Sequence, residues 1–151
     1  PEGKLGRLAI AVANSNPDVI YTVIEAKNEE KKGLYKSTDA GDSWEQMNND
    51  FGITVRPFYF SRIVVDPKDE NIIIKGGLFG SISKDGGETF KQMGAMHADI
   101  HDAIFDINNS DIIYVGTDGG VYRSWNKAVT MEIVENLKVE SLSDYRPSRF
   151  E

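Results

Sequence analysis

Short runs of β-branched and other apolar residues, each followed by a polar turn, recur along the chain. Leu8 to Val12 and Val19 to Val23 flank the turn Asn16-Pro17-Asp18, and two later pairs of runs repeat this arrangement. The later pairs are Arg62 to Val65 with Ile72 to Ile74, and Ala103 to Phe105 with Ile112 to Val115. Such runs bounded by Asn, Asp and Pro are typical of β-strands joined by tight turns. The pattern therefore predicts three successive pairs of neighbouring strands.

Helical periodicity is not sustained anywhere in the sequence. The stretch from Thr130 to Leu142 comes nearest, because Met131, Val134 and Leu137 have a helix-like spacing. We interpret this stretch as a fourth strand that leaves the third unit, and a frayed terminal segment is the alternative.

A second pattern, Ser-x-Asp-x-Gly-x-x-aromatic, follows each predicted pair of strands. Its first copy is Ser37, Asp39, Gly41 and Trp44, and its second is Ser83, Asp85, Gly87 and Phe90. A degenerate third copy has Ser124, Asn126, Ala128 and Met131 at the same spacing. In this pattern Asp accepts hydrogen bonds from its own turn, Gly takes a positive φ, and the aromatic residue anchors the next strand in the core. We interpret each copy as a hairpin between a third and a fourth strand.

The repeat predicts an all-β fold made of β-propeller blades, each a four-stranded antiparallel sheet. The intervals from Asp39 to Asp85 and from Asp85 to Asn126 both lie within the roughly 40 to 50 residues of one blade. Approximate blades are 5–50, 57–95 and 100–142, with 143–151 as a tail or the start of another blade. A β-sandwich with Asp-Gly turns is the alternative.

Three blades are fewer than the roughly four to eight of a closed propeller. We therefore expect the chain to be part of a seven-bladed or larger propeller. Either the remaining blades of a longer protein or self-association would then cover its open blade edges.

The amino-acid composition limits the classes of partner that the chain is expected to bind. A hydrophobic content of 40% can build a core, and no apolar run is long enough for a membrane helix. The net charge of -7 and the lack of a basic cluster argue against a nucleic-acid partner. Cysteine is absent, which excludes disulfides and thiolate-bound metals. We expect no cofactor and assign no metal site.

The repeated motif resembles the BNR or Asp-box repeats of sialidases, xyloglucanase-type glycoside hydrolases and sortilin-like propellers. The stretches 56–67, 97–103 and 117–122 resemble a bacterial branch described as glycosyl-hydrolase-like or sortilin-like. The resemblance implies an extracellular or periplasmic propeller that binds a glycan, and it leaves hydrolysis open. A non-catalytic propeller that binds peptides or proteins is the alternative. The Phe/Tyr-Arg-Ile-Pro motif of sialidases is missing, so this segment alone is expected to be inactive.

Both histidines of the chain, His97 and His101, lie among acidic residues. If this stretch is extended, alternation places His97, Asp99 and His101 on one side. The readings that remain open are ligand binding by the histidines, a metal site and a structural role in loops. As catalytic acids we would test Asp99, Asp102 and Asp118, although the stretch that contains Asp118 also reads as an ordinary turn.

Aromatic residues lie beside two arginines in the stretch from Arg56 to Arg62. Arg56, Tyr59 and Arg62 could form a platform on which a sugar stacks, with the guanidinium groups as hydrogen-bond donors. An inner strand that enters the core is the competing interpretation.

Overall fold

The computed structural model describes residues 4–54 and 62–135 of the chain. These residues form three four-stranded antiparallel sheets, each with its strands in chain order. This architecture confirms the all-β, blade-like fold that the sequence predicts. The rest of the predicted second and third blades, 57–61 and 136–142, lies outside the described residues, as does 143–151.

Each sheet is a simple up-and-down meander. The strands of the first sheet are β1 (Leu5–Val12), β2 (Ile20–Ala26), β3 (Gly33–Ser37) and β4 (Glu45–Asn48). Those of the second are β5 (Arg62–Val65), β6 (Ile73–Gly76), β7 (Ser81–Ser83) and β8 (Lys91–Gln92). Those of the third are β9 (Ile100–Phe105), β10 (Ile113–Thr117), β11 (Gly120–Ser124) and β12 (Glu132–Ile133). β12 lies within the predicted fourth strand, Thr130 to Leu142, and pairs with β11.

Helix is confined to two single turns among the described residues. One is a 3-10 turn, Glu29–Lys31, and the other is α1 (Phe51–Thr54), which follows the first sheet. Neither turn is predicted by the hydrophobic pattern, because three or four residues are too few to establish a helical period. No helix within residues 4–54 and 62–135 is long and apolar enough to cross a membrane.

The sheets stack face to face, and their first strands lie next to one another. β1 contacts β5, and β5 contacts β9, so these three strands form the inner side of the array. Two apolar layers fill the spaces between sheets. The layer between the first and second sheets contains Val19, Tyr21, Val23, Leu34, Ile53, Ile63, Val65 and Ile73. The layer between the second and third contains Ile72, Ile74, Ile82, Met93, Ile100, Phe105, Ile113 and Val115.

The outer faces of the first and third sheets expose apolar side chains. Leu8, Ile10 and Val12 alternate along β1 and are 52%, 67% and 49% exposed. On the third sheet Ile104 is 62% exposed. Among the described residues no further sheet covers these two faces.

The two complete copies of the acidic motif form the same hydrogen-bonded hairpin turn. The Ser37 hydroxyl donates to Asp39 Oδ1 at 2.7 Å, and the Ser43 amide and hydroxyl donate to the Asp39 carboxylate at 2.8 and 2.5 Å. In the second copy Ser83 and Thr89 make the equivalent bonds to Asp85. These bonds stabilise the ionised acids and lower the pKa of both to about 2.

The aromatic anchors of the two turns differ from each other. Phe90 packs against the apolar layer between the first two sheets, as the motif predicts. For Trp44 the prediction of a core anchor is wrong, because its side chain is 38% exposed and its Nε1 donates to the Gly41 carbonyl at 2.9 Å. The difference follows from position, since no described sheet lies against the outer face of the first sheet.

The degenerate third copy keeps the geometry of the turn with different side chains. Asn126 replaces the acid and accepts a hydrogen bond from the Thr130 amide at 2.9 Å. Its Nδ2 donates to the Thr130 hydroxyl, also at 2.9 Å. Ala128 takes the place of glycine with a φ of 61°, so the turn forms in spite of the strain of this conformation.

The acidic turns predict a specific dependence of stability on pH. The folded pKa of about 2 is below the ordinary aspartate pKa of 3.8, so the turns contribute stability that is complete above about pH 4 and is lost as the pH falls through about 2. Changing both Asp39→Asn and Asp85→Asn is expected to make stability less sensitive to acid within this window. The measurement is the urea midpoint between pH 2 and 5.

The third turn provides the reverse experiment. Asn126→Asp places a carboxylate where the Thr130 amide and hydroxyl can donate to it, so stability should become more sensitive to acid in the same window. If the double asparagine variant and Asn126→Asp both keep the wild-type pH profile, the assigned role of these carboxylates is wrong.

A second prediction concerns the ion pair that joins the second and third sheets. Asp66 is fully buried, and Lys127 Nζ lies 3.4 Å from its Oδ2, which makes no hydrogen bond. Lys127→Met is expected to lower the free energy of unfolding by about 1–3 kcal/mol, because it leaves a buried carboxylate uncompensated. Lys84→Met, at an exposed lysine, is the control for charge removal. Equal effects in chemical denaturation would contradict the role of the pair.

Candidate functional site

The two ends of the sheets carry different kinds of residues. The three Ser-Asp or Ser-Asn hairpins lie at one end, which we call the turn end. The first residues of β5 and β9 and the β10–β11 loop lie at the opposite end, which we call the site end. All six described candidate residues lie at or beside the site end, namely Arg62, His97, Asp99, His101, Asp102 and Asp118. The sequence identifies these residues as candidates, but it does not predict which of their side chains contact one another.

A β-bulge at the start of β9 sets the direction of His101. Gly116 pairs with Asp102 and Thr117 pairs with Ile100, so His101 is the extra residue between the two pairs. Ile100 and Ala103 are buried, whereas His101 and Asp102, which are consecutive, are both exposed. Bulges reorient side chains in this way and are common beside functional sites.

The bulge also corrects the predicted alternation of His97, Asp99 and His101. β9 begins only at Ile100, and Asp99 has a φ of 62°, which is left-handed and not extended. The three side chains therefore do not form one extended row.

His101 and Asp118 form a contact between β9 and the β10–β11 loop. The Nε2 atom of His101 lies within hydrogen-bonding distance of Asp118 Oδ1, and both side chains are about half exposed, at 53% and 55%. Asp118 belongs to a turn in which the Gly119 amide donates to the Thr117 hydroxyl at 3.0 Å. Asp118 is thus part of an ordinary turn and also a partner of the histidine.

Arg62, the first residue of β5, lies on the other side of His101. Its Nε donates to the His101 carbonyl at 3.2 Å and lies 4.0 Å from Asp102 Oδ1. The two side chains are more than half exposed, at 61% and 69%, so this ion pair adds little to stability. The arginine is held beside two groups of β9 and keeps most of its surface accessible to a ligand.

An open cavity of about 500 Å³ lies where the first strands of the three sheets meet. We call it the axial cavity. Its lining consists of Arg7, Leu8, Ala9, Ile10, Arg62, Ile63 and His101. Sequence reasoning missed Arg7, because nothing in its local sequence distinguishes it from other polar residues of an exposed strand.

His97 and Asp99 lie apart from the lining of the axial cavity. His97 approaches Gly119 so closely that a Cβ on this glycine would be 2.6 Å from the Cβ of the histidine. The Asp99 amide donates to the Leu78 carbonyl at 3.0 Å, and its Oδ1 is enclosed without a hydrogen-bond partner. These contacts connect the loop before β9 to its neighbours.

Two further predictions from the sequence concern the stretch from Arg56 to Arg62 and a metal site. Arg56 and Tyr59 lie outside the described residues, so their predicted role as a sugar platform stays a prediction. Among residues 4–54 and 62–135, no group of three or more His, Asp or Glu side chains is arranged to hold a metal ion.

Comparison with solved structures finds larger proteins that contain a similar fold. No protein-family model and no curated protein sequence matches the chain. The GH74 enzyme of Niastella koreensis superposes with a TM-score of 0.64 at 20% identity, over 86% of this chain and 22% of that one. The GH74 xyloglucanase of Xanthomonas campestris gives 0.62 at 18% identity, over 85% and 23%. YCF48 from Cyanidioschyzon merolae gives 0.55 at 14% identity, over 82% and 35%.

At these identities the similarities show the fold alone. The chain spans 22% and 23% of the length of the two GH74 proteins, and 35% of YCF48. The described sheets are blades of the β-propeller type found in the GH74 proteins.

Proposed function

We propose that this chain is part of a BNR or Asp-box propeller of the glycosyl-hydrolase-like type, and that the propeller binds a glycan in the axial cavity. The observation that carries the proposal is the convergence of Arg7, Arg62 and His101 on one cavity from three successive sheets. The hydrogen-bonded acidic turns support the repeat family, and the similarity to a protein named as a xyloglucanase supports a glycan ligand.

The groups around the axial cavity suit the recognition of sugar hydroxyls. Guanidinium groups donate hydrogen bonds, carboxylates accept them, and an imidazole can do either. The contact with Asp118 holds the His101 ring in one orientation, and Arg62 is positioned by the His101 carbonyl.

Hydrolysis would require two carboxyl groups roughly 5–9.5 Å apart across the scissile bond. Asp102 and Asp118 are the acids beside His101 in sequence and in space, so they are the pair to test. Asp99 is the weaker choice, because its Oδ1 is enclosed.

The open outer faces bear on the state of the intact protein. Leu8, Ile10 and Val12 on one side and Ile104 on the other would be covered by the remaining blades of a longer chain, or by a second copy. By the family resemblance we also propose an extracellular or periplasmic location.

The test uses the intact protein and xyloglucan oligosaccharides in isothermal titration calorimetry. Arg62→Ala and Asp118→Asn are each expected to weaken binding about tenfold or more, since the first removes a charged donor from the cavity and the second removes the carboxylate that orients His101. Release of reducing ends, and its loss in Asp102→Asn or Asp118→Asn, would extend the proposal to hydrolysis.

Asp111→Asn is the matched control for Asp118→Asn. Asp111 belongs to the same sheet, has a similar exposure of 58%, and also pairs with a basic side chain, Lys127, but it lies at the turn end. Equal losses in the two variants would overturn the assignment of the site. Binding of peptides without any binding of glycans would favour the sortilin-like alternative.

A further inference from the structure

A second cavity lies away from the axis, between the outer strands of the first and second sheets. We call it the rim cleft. The helix α1 provides one wall, and the β6–β7 loop with β7 and β8 provides the other. Its volume of about 420 Å³ is in the range of small-molecule pockets, roughly 300–1,000 Å³. It shares no lining residue with the axial cavity among the described residues.

Phenylalanine rings dominate the apolar part of the rim cleft. Phe51 of α1 is 83% exposed and Phe79 of the β6–β7 loop is 57% exposed, although both line the cleft. Phe90 and the buried Ile53 complete this apolar part. Phenyl rings on opposite walls, without a hydrogen-bonding group, suit a flat apolar body that stacks or packs edge-to-face against them.

Four side chains on one face of the second sheet form a row that begins at this cleft. The paired residues Ile63, Lys75, Ser81 and Gln92 lie directly opposite one another across β5 to β8, so their side chains share one face. Ser81 and Gln92 line the rim cleft. Lys75 is therefore the next side chain inward from the cleft along this row.

Lys75 is a buried cation without a partner. The residue is 2% exposed, and within the described chain its ammonium makes no hydrogen bond and no ion pair. Lys75 does not itself line the rim cleft, and its nearest neighbour in the row that does so is Ser81.

The burial of Lys75 has an energetic cost that an anion would offset. Desolvation lowers the pKa of its amine to about 8, which means that burial disfavours the charged form of the side chain. A carboxylate placed beside the ammonium would favour the charged form and form a charge-assisted hydrogen bond. Side chains of Ser81 and Gln92 could donate to the same carboxylate.

We propose that the rim cleft binds a small aromatic monocarboxylate, with its ring between Phe51 and Phe79 and its carboxylate directed towards Lys75. A monoanion fits better than a phosphate or a dicarboxylate, because Asp50 also lines the cleft and would repel a second negative charge. This site is separate from the axial cavity and does not depend on the glycan-binding proposal.

The experiment compares trans-cinnamate with its neutral isostere cinnamamide, using the intact protein and ligand-observed NMR with calorimetry. The wild type is expected to bind cinnamate about tenfold or more tightly than cinnamamide, because only the acid pairs with the ammonium. Lys75→Met is expected to abolish this preference. Phe79→Ala is expected to weaken both ligands, since it removes one wall.

Two controls make the result specific. Lys84→Met removes an exposed lysine at the turn end of the same sheet and should leave the preference for the acid unchanged. Arg62→Ala, which tests the axial cavity, should leave cinnamate binding unchanged, so failure of the glycan proposal is distinguishable from failure of this one.

Several outcomes would overturn the proposal. One is equal binding of acid and amide by the wild type, a comparison that does not depend on the folding of any variant. Others are an equal loss in Lys84→Met and Lys75→Met, or the absence of cinnamate binding at millimolar concentration.

Discussion

The contact between the apolar faces of successive sheets is the constraint on which the rest of the structure depends. A four-stranded sheet of this size has little stability by itself, because most of its apolar side chains need a neighbour to exclude water. Here Leu34 and Ile73 from two sheets share one layer, and Ile74 and Ile113 share the next. The position of every loop at the site end is fixed relative to its neighbours through these two layers.

The turn end supplements this packing with polar contacts between sheets. Asp66 of the second sheet pairs with Lys127 of the third, and the Lys68 ammonium donates to the Asn108 carbonyl. On the other side the Lys36 ammonium lies 3.5 Å from Asn71 Oδ1. These contacts connect neighbouring sheets at the same level, so they help to fix the rotation of one blade against the next.

Local chemistry made much of the fold predictable from sequence. Asp39 and Asp85 act within a few residues of themselves, so their turns could be identified without knowing the neighbouring chain. The outcome for Trp44 differed because its environment depends on whether another sheet covers it, which is a property of the assembly. The degenerate turn at Asn126 is recognisable as a relic, but its nearly intact hydrogen bonding depends on Thr130, at a position whose residue type the motif does not specify.

The sequence predicts which residues belong to the candidate site, but it does not predict how they are arranged in space. His101 and Asp118 are 17 residues apart in the sequence. Their contact depends on a β-bulge, which a periodic pattern of apolar residues does not reveal. Arg7 and Lys75 were missed for a related reason. An arginine on an exposed strand and a lysine within an apolar run, Ile72 to Gly76, become unusual only when the surrounding sheets are in place.

The division of the molecule into two ends has a consequence for how such a scaffold can change. The bonds of the three hairpins are made within the turn end, whereas the loops 77–80 and 118–119 lie at the other end and take no part in them. Residues in these loops can therefore be exchanged with little effect on the hairpins that close each blade. A scaffold of this kind can acquire new ligand specificities by loop replacement, and the acidic hairpins give library design a natural boundary between variable and invariant positions.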